Sequence, residues 1–401
     1  MDKIQTNEGT LALIRPSIDT EGAIRLACSM FGLRISDPSL VKEFVSYDDR
    51  NFYMKGILPD YSNDVESLPE KSEGEYVLKI LNHVDSENIS SVNAQNEALL
   101  FLKERGFACS VPARALNGEY TITCCLKSSE AEIKMKENEN GIIPGRVYAV
   151  RLLSFVPGKL LKEVPCTAEV LFCLGRYIAN MDKALQGFHH PGIDVLLKRE
   201  WDLLQIHTIK SYITTATQDD AERKVLTLVY DKFTNEVIPQ LGDLKKQAIH
   251  GDINDENVLV IPNQSGDGHQ IASMIDFGDM SVSYRVFEVA ICMMYMIVLR
   301  VQQGDTHNEA IRMAGHALCG YQSVYGLSQS ALALLYWSVA ARFFQSIVVG
   351  KYKQSLEPEN VYLSNSCILA LDVLSTYTAM SGDELLKSWL SMARGTEQTD
   401  V

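Results

Sequence analysis

The chain has no CxxC pair and no close grouping of cysteine with histidine, so its spacing carries no sign of a structural zinc site or a dithiol redox motif. Its nine cysteines are odd in number and scattered, several in apolar context, such as Cys173 in VLFCLG and Cys292 in VAICMMY. Buried free thiols in a reducing compartment account for that pattern better than a disulfide framework does. Positive charge is the minority sign: 37 Lys and Arg stand against 51 Asp and Glu, a formal net charge of −14. Such a surface repels phosphate backbones, so nucleic acid is not an expected partner, whereas a cationic or zwitterionic small molecule suits it. No apolar run is long enough to span a bilayer. The longest, Val289–Leu299, reads as a buried core helix, and no membrane partner is expected. The opening MDKIQTNEGT has neither the basic start nor the apolar run of a signal peptide, which makes the cytoplasm the expected location. Internal repeats and low-complexity tracts are also missing.

The 401 residues, 46% hydrophobic and 22% charged, are ordinary for a soluble globular protein and more than one compact core usually takes. Two lobes are expected. Asp19–Gly32 reads as a first helix, with an acid and a hydroxyl at its start and glycine at its end. LVKEFVSYDDRNFYMKGI follows as two strand-like runs around polar Ser46–Asn51. EYVLKIL (75–81) is a short strand carrying one lysine, and Asn93–Arg105 a helix stopped by Gly106. Ala108–Pro112, Glu119–Leu126 and Val147–Phe155 look like strands, with Lys127–Gly141 an exposed loop or hairpin tip. After the Pro157-Gly158 break the pattern is mainly helical: Leu160–Ala184, Asp194–Thr215, Asp219–Gln240, Tyr284–Gln302, Asn308–Val324, Ser328–Val349 and Asn360–Met380. The boundary near Ser154–Lys159 gives two expected domains, 1–155 and 156–401. The class is α+β, with a small β-rich N-lobe and a large, mainly helical C-lobe.

One island interrupts the helices: AIHGDINDENVLVIPNQSGDGHQIASMIDFGDM. Its two apolar runs, Val258–Ile261 and Ile271–Ile275, are separated by turn-rich Pro262–Gln270, a hairpin signal. Asn257 precedes the first strand and Asp276 follows the second, at equal distance from a midpoint between Gly266 and Asp267. An antiparallel hairpin therefore brings Asn257 opposite Asp276 at its open end. A carboxylate and an amide oxygen side by side form a hard-oxygen site, about what Mg²⁺ needs from a protein when nucleotide phosphates and water complete its shell. Asp252 lies in the loop entering the same end, where a carboxylate can accept the proton of an attacking hydroxyl. Gly251 lets that loop turn tightly and His250 braces it. HGD alone is a weak signal, and hairpins often end in Asn and Asp. The joint pattern HGDxxxxN, strand–turn–strand, IDFG is far more specific.

IHGDINDENVLV followed by MIDFGDM resembles the aminoglycoside phosphotransferase and choline kinase superfamily, whose fold is the two-lobed, protein-kinase-like one. The resemblance implies that Asp252 is the catalytic base and that Asn257 and Asp276 hold Mg²⁺ (or Mn²⁺). SYDDRNFYMKG is similar to the family's phosphate-covering loop, here without a glycine-rich run, and LLSFVPGKLL to the hinge between lobes. SYDDRNF, VRLLSFVPG, REWDL, ARFFQS and NVYLSNS together resemble one branch, the hydroxylysine kinases. That branch implies phosphoryl transfer from GTP, with ATP the other donor, to the side-chain hydroxyl of 5-hydroxy-L-lysine.

Lys79 in YVLKI is the candidate for the lysine on the nucleotide phosphates, although a lone lysine in a strand is ordinarily a solvated face. Glu97 falls on the next helix, where the family's lysine-pairing glutamate does. Tyr47, Arg50 and Asn51 offer donors to phosphate or are simply solvated turn residues. The resemblance places the backbone of Leu153–Phe155 against the nucleotide base. On the acceptor side, Asp279 and Glu288 are acidic candidates for an ammonium, though an acid at Glu288 also suits anchoring of the catalytic loop. Trp201 (with Asp202, in REWDL) can line the pocket or belong to the core. Arg342 in VAARFFQS is a candidate clamp for the acceptor's carboxylate. The competing readings are a superfamily kinase for an aminoglycoside, choline or homoserine, and a non-catalytic binding protein of the same fold.

Overall fold

The computed structural model of the chain describes residues 15–46, 49–59, 73–126, 146–194, 200–356 and 361–392. The chain divides into two compact units, one from residues up to Leu99 with Ser110–Phe155, the other from Leu100–Cys109 with Val156 onward.

The first unit opens with a helix, Thr20–Phe31, whose ends are set by local chemistry. The Asp19 carboxylate accepts from the Gly22 amide at 2.7 Å, and Gly32 closes the helix at φ 66°. Ala23, Ala27 and Phe31 share its buried stripe. The strands that follow are β1 (Arg34–Ile35), β2 (Lys42–Phe44), β3 (Arg50–Ile57), β4 (Gly74–Ile80), β5 (Ile122–Leu126) and β6 (Arg146–Ser154). They form an antiparallel sheet in the order β1-β3-β4-β6-β5, with β2 also paired to β3. Alternate residues Phe52, Met54, Leu78, Ile80, Val150 and Leu152 pack against the helix stripe as one apolar core. Between them, in register across three strands, lie Asn51, Lys79 and Arg151 on the other face.

The second unit is mainly helical and carries β7 (Lys159–Leu160), β8 (Lys246–Ile249), β9 (Val258–Pro262), β10 (His269–Met274) and β11 (Ser281–Tyr284). β9 and β10 form the expected hairpin, with β7 on its edge, and β8 pairs with β11. The Ala168–Leu185 helix, capped by Thr167, crosses the Gly315–Tyr325 helix at very close range. A Cβ on Gly175 would stand 1.9 Å from the Ala317 carbonyl oxygen, and one on Gly320 would stand 2.0 Å from that of Phe172. Only glycine lets the two backbones meet. The Gln329–Ser355 helix is long and apolar enough to cross a membrane, but 78% of its apolar window is buried inside the fold.

Several expected elements change shape. Asp194–Thr215 is not one α-helix: its described part is a 3-10 stretch, Leu203–Tyr212, capped by Asp202 and followed by a single α-turn. Asn308–Val324 splits into His307–Met313 and Gly315–Tyr325, and the break falls where Gly315 meets the Trp389 ring. Trp389 belongs to Gly382–Ser391, a helix that sequence reading did not anticipate. Ala108–Pro112 makes a single bridge, Pro112 to Leu153, since proline cannot extend a ladder. Lys127–Gly141 lies outside the described residues.

The helix crossing also buries a carboxyl group. Asp182 has no solvent access; Tyr321 donates to one of its oxygens at 2.6 Å, and the other oxygen has no hydrogen-bond partner among the described residues. Burial, reinforced by the Glu288 charge, pushes its pKa well above 3.8, outweighing Tyr321 and Arg285. Folding therefore takes up a proton above the ordinary carboxyl range, and that stability is lost as pH rises toward the folded-state pKa. Asp182→Asn has no proton to lose, so its Tm relative to the wild type should climb as pH is raised from about 4 toward neutrality. Thermal melts across that range would refute this if the difference stayed flat or fell.

Candidate active site

The loop His250–Asn257 leaves the end of β8, and β11 beside it feeds directly into the Arg285–Gln302 helix. That connection carries Glu288, in the first turn of the helix, under the loop. Its Oε1 accepts the His250 amide and its Oε2 the Gly251 amide, both at 2.8 Å. Glu288 is fully buried, which pushes its carboxyl up against the pull of His250 and the two amides. Gly251 sits at φ 82°, and a Cβ there would come within 2.5 Å of the Asp279 carbonyl oxygen. Glycine is required on both counts. His250 is buried edge-on to Phe277. Its Nε2 donates to the Ile275 carbonyl at 3.0 Å, which leaves Nδ1 to accept the Asp252 amide at 3.3 Å. The loop is thus tied to the helix behind it and to the hairpin beside it.

Asp252 is held from three sides. Arg342 Nη2 donates to Oδ1 at 2.8 Å, and Asn254 and Asn257 donate to Oδ2 at 2.8 and 2.9 Å. Asn257 also donates to the Asp252 carbonyl, and Asn254 Oδ1 receives the amides of Glu256 and Asn257. Burial pushes the Asp252 carboxyl up to about 7 against the pull of Arg342, and the Asp279 and Asp276 carboxylates push the same way. Even so, 19% of the side chain remains accessible, and the carboxylate is not sealed off.

The hairpin brings Asn257 and Asp276 to the same end, with a shift of one residue. The Ile275 amide donates to the Asn257 carbonyl at 2.9 Å, so Ile275 opposes Asn257 and Asp276 stands one residue beyond. Near the turn Pro262 pairs with His269, two residues off the symmetric register, and an extra residue in β10 between Ile271 and Ser273 takes back one of the two. Asp276 adopts a left-handed conformation (φ 59°), alone in this among the described non-glycine residues, and is exposed. Asn257 spends its Nδ2 on Asp252, and its Oδ1 takes no hydrogen bond among the described residues. A free amide oxygen and an exposed carboxylate fit a hard divalent cation.

In the first unit Lys79 is buried and pairs with Asp49 at 3.0 Å, both inside the protein. Asp49 in turn accepts the backbone amide of Asn82 at 2.8 Å and its side chain at 3.2 Å. Sequence reading missed Asp49, although it lies in the polar SYDDRNF segment. Glu97 is exposed on the Ile89–Glu104 helix. Asn51 stands opposite Lys79, with an Oδ1 that has no partner among the described residues. Arg50 is engaged: its guanidinium makes a bidentate pair with Glu43 on β2, Nη2 to Oε2 at 2.8 Å. Tyr47 lies outside the described residues. Leu153 pairs with Val77, and Phe155 donates its amide to the Glu75 carbonyl while its ring meets Phe44 and Tyr53.

Arg342 is placed at the His250–Asn257 loop, but its fork has a different occupant from the one expected. It binds Asp252, the Trp201 carbonyl at 2.9 Å, Gln345 at 2.7 Å and the Tyr295 hydroxyl at 3.2 Å, with 1% of its surface exposed. A buried guanidinium so committed is not an open clamp for an acceptor carboxylate. Glu288 is likewise occupied by the loop amides, the anchoring alternative. Trp201 lies under the Arg342 guanidinium, 5.2 Å from ring centre to Cζ, and with Asp279 lines a small pocket beside Gly251. Asn254, Tyr295 and Gln345 were not foreseen. Only an arginine in an apolar helix, which demands partners, hinted at the last two.

The Phosphotransferase enzyme family matches residues 54–327. The chain is 31% identical over 354 residues to hydroxylysine kinase of Bos taurus and 32% to that of Mus musculus, covering 87% of this chain and 86% of each relative. Among solved structures it is similar in fold to an amicoumacin kinase in complex with AMP-PNP, Ca²⁺ and Ami (TM-score 0.62, 14% identity, 92% of this chain and 97% of that one). It is similar also to a microcompartment-associated aminopropanol kinase (TM-score 0.60, 16% identity, 90% and 98%). The protein-kinase-like architecture expected from the motifs is the one observed.

Glu288→Ala should destabilise the protein by about 2–5 kcal/mol, because two buried amides lose charge-assisted bonds. Glu288→Gln, which keeps one acceptor, should fall in between. Denaturant titration reads both; an alanine variant as stable as the wild type would show that the loop is held by something else.

Proposed function

The chain belongs to the phosphotransferase enzyme family, and we propose that, as a small-molecule kinase of that family, it transfers the γ-phosphoryl group of GTP to the side-chain hydroxyl of 5-hydroxy-L-lysine. The observation that carries the reading is the set built on the His250–Asn257 loop: a partly accessible Asp252 carboxylate beside the free Asn257 amide oxygen, with Asp276 next to the residue opposite. Similarity to the hydroxylysine kinases over most of the chain supports the acceptor.

In this reading Asp252 orients the acceptor hydroxyl and receives its proton as the oxygen attacks the γ-phosphorus and the bond to the nucleoside diphosphate breaks. A carboxyl whose pKa lies near 7 suits a base working at neutral pH. Arg342 keeps Oδ1 of Asp252 in place, while Oδ2 is held by Asn254 and Asn257. Asn257 Oδ1 and the Asp276 carboxylate would hold Mg²⁺ or Mn²⁺, which when bound neutralises charge on the transferring phosphates. Among the described residues no three His, Cys, Asp or Glu side chains converge as a metal cluster, so the remaining ligands would be phosphates and water. In the first unit Lys79, fixed by Asp49, serves the nucleotide phosphates, with Asn51 beside it and Glu97 on the neighbouring helix. The backbone at Leu153–Phe155 serves the base. The free cysteines among the described residues support a reducing compartment such as the cytoplasm.

Asp252→Asn should lower kcat by about 10²–10⁴-fold while nucleotide binding, followed by calorimetry, survives. Near-wild-type turnover of the folded variant removes Asp252 from the base role. Activity should vanish with a chelator and return with Mg²⁺, and Asp276→Ala should be more damaging than Asn257→Ala because it removes a charge. The acceptor is tested by kcat/KM for 5-hydroxy-L-lysine, choline, homoserine and an aminoglycoside, with GTP and ATP in parallel. Hydroxylysine should lead; a higher value for any other alcohol would defeat the assignment.

A further inference from the structure

Beside the catalytic loop the second unit encloses a small pocket lined by Trp201, Asp202, Gly251, Asp279, Ser283 and Phe287, among others. Its volume of about 10 Å³ is the scale of one water molecule. Three polar groups border it. Asp202 spends Oδ1 on the Leu204 amide at 2.9 Å, capping the 3-10 stretch, and its Oδ2 takes no hydrogen bond from a described residue. Asp279 is the second carboxylate; burial pushes the Asp202 carboxyl upward against the Leu204 amide, Lys246 and Arg342, and Asp279 adds to the push. Ser283 is 1% exposed, and its Oγ has no hydrogen-bond partner among the described residues. A buried hydroxyl left unpaired costs about 1–3 kcal/mol, so it calls for a ligand.

We propose that this pocket is a subsite for a primary ammonium group of the acceptor. The proposal rests on the reading that the acceptor is an amino alcohol. An –NH₃⁺ head has three donors and no acceptor. Asp202 and Asp279 bring to the lining charge opposite to the ligand's, and Ser283 brings a neutral hydroxyl acceptor. A trimethylammonium group brings no N–H, so the same pocket discriminates against choline by chemistry. Gly251, in the lining, is adjacent in sequence to Asp252. An ammonium bound here is therefore anchored beside the loop that carries the base.

L-Lysine, which has both ammonium groups but no hydroxyl to phosphorylate, probes the subsite without turnover. Its binding to the full chain with MgGDP present is measured by calorimetry for the wild type, Asp202→Asn and Ser283→Ala. Asparagine still caps a helix, and removing an unpaired buried hydroxyl does not destabilise, so both variants keep the fold. Loss of a charge-assisted hydrogen bond should weaken lysine binding roughly 10- to 100-fold in Asp202→Asn, with a smaller loss in Ser283→Ala and a rise in KM for hydroxylysine exceeding any change in kcat. If the wild type phosphorylates hydroxylysine but Asp202→Asn binds lysine within twofold of it, the subsite fails and the functional reading stands. If the wild type phosphorylates no amino alcohol, the functional reading fails and the subsite falls with it.

Discussion

Glu288 is a carboxylate without access to solvent, and both of its oxygens are committed to two consecutive backbone amides. A buried charge is tolerated only where hydrogen bonds replace its hydration. The bonds it needs are those of His250 and Gly251, so the cost of burying the acid becomes a constraint on the shape of the loop. Gly251 can meet that constraint because it adopts φ 82° without a Cβ to strike Asp279. His250 passes it on, since its ring joins the Ile275 carbonyl at the hairpin end to the Asp252 amide. One interaction therefore aligns Asp252, the loop and the hairpin.

The Asp252 carboxylate poses the opposite problem. It is crowded by burial and by two other carboxylates, which resist its ionisation, and it is stabilised mainly by a guanidinium that is itself buried. Arg342 can remain charged there because the Trp201 carbonyl, Gln345 and Tyr295 share its donors. Opposed in this way, burial and the guanidinium hold the Asp252 carboxylate in position with its pKa raised to about 7.

Much of this was legible in the chain because hairpins have a strict period. Strand–turn–strand spacing placed Asn257 and Asp276 at one end; the turn is centred between Ser265 and Gly266, one residue earlier than the symmetric pattern implies, and the extra residue in β10, which alternation of residue types does not reveal, restores half of the offset. Asp252, Gly251 and His250 were readable as a loop because their chemistry is local. Contacts between distant segments were not. Arg342 stood out as an arginine among apolar residues, yet nothing in the pattern said that its partner lay 90 residues upstream rather than on a ligand. Lys79 stood out as the one lysine of its strand, but that Asp49 of SYDDRNF would meet it depends on how the strands pair. The helix Gly382–Ser391 escaped notice although Trp389, the anchor it inserts against Gly315, is fully buried.

The central claim is that the loop delivers a phosphoryl group to a carbon-bound hydroxyl of an amino acid. Phosphorus NMR of the product formed from GTP and 5-hydroxy-L-lysine tests it directly. The account predicts a phosphomonoester signal split by a single proton, the one on carbon 5. A spectrum showing only inorganic phosphate and GDP, or an ester on another acceptor present in equal amount, would contradict it.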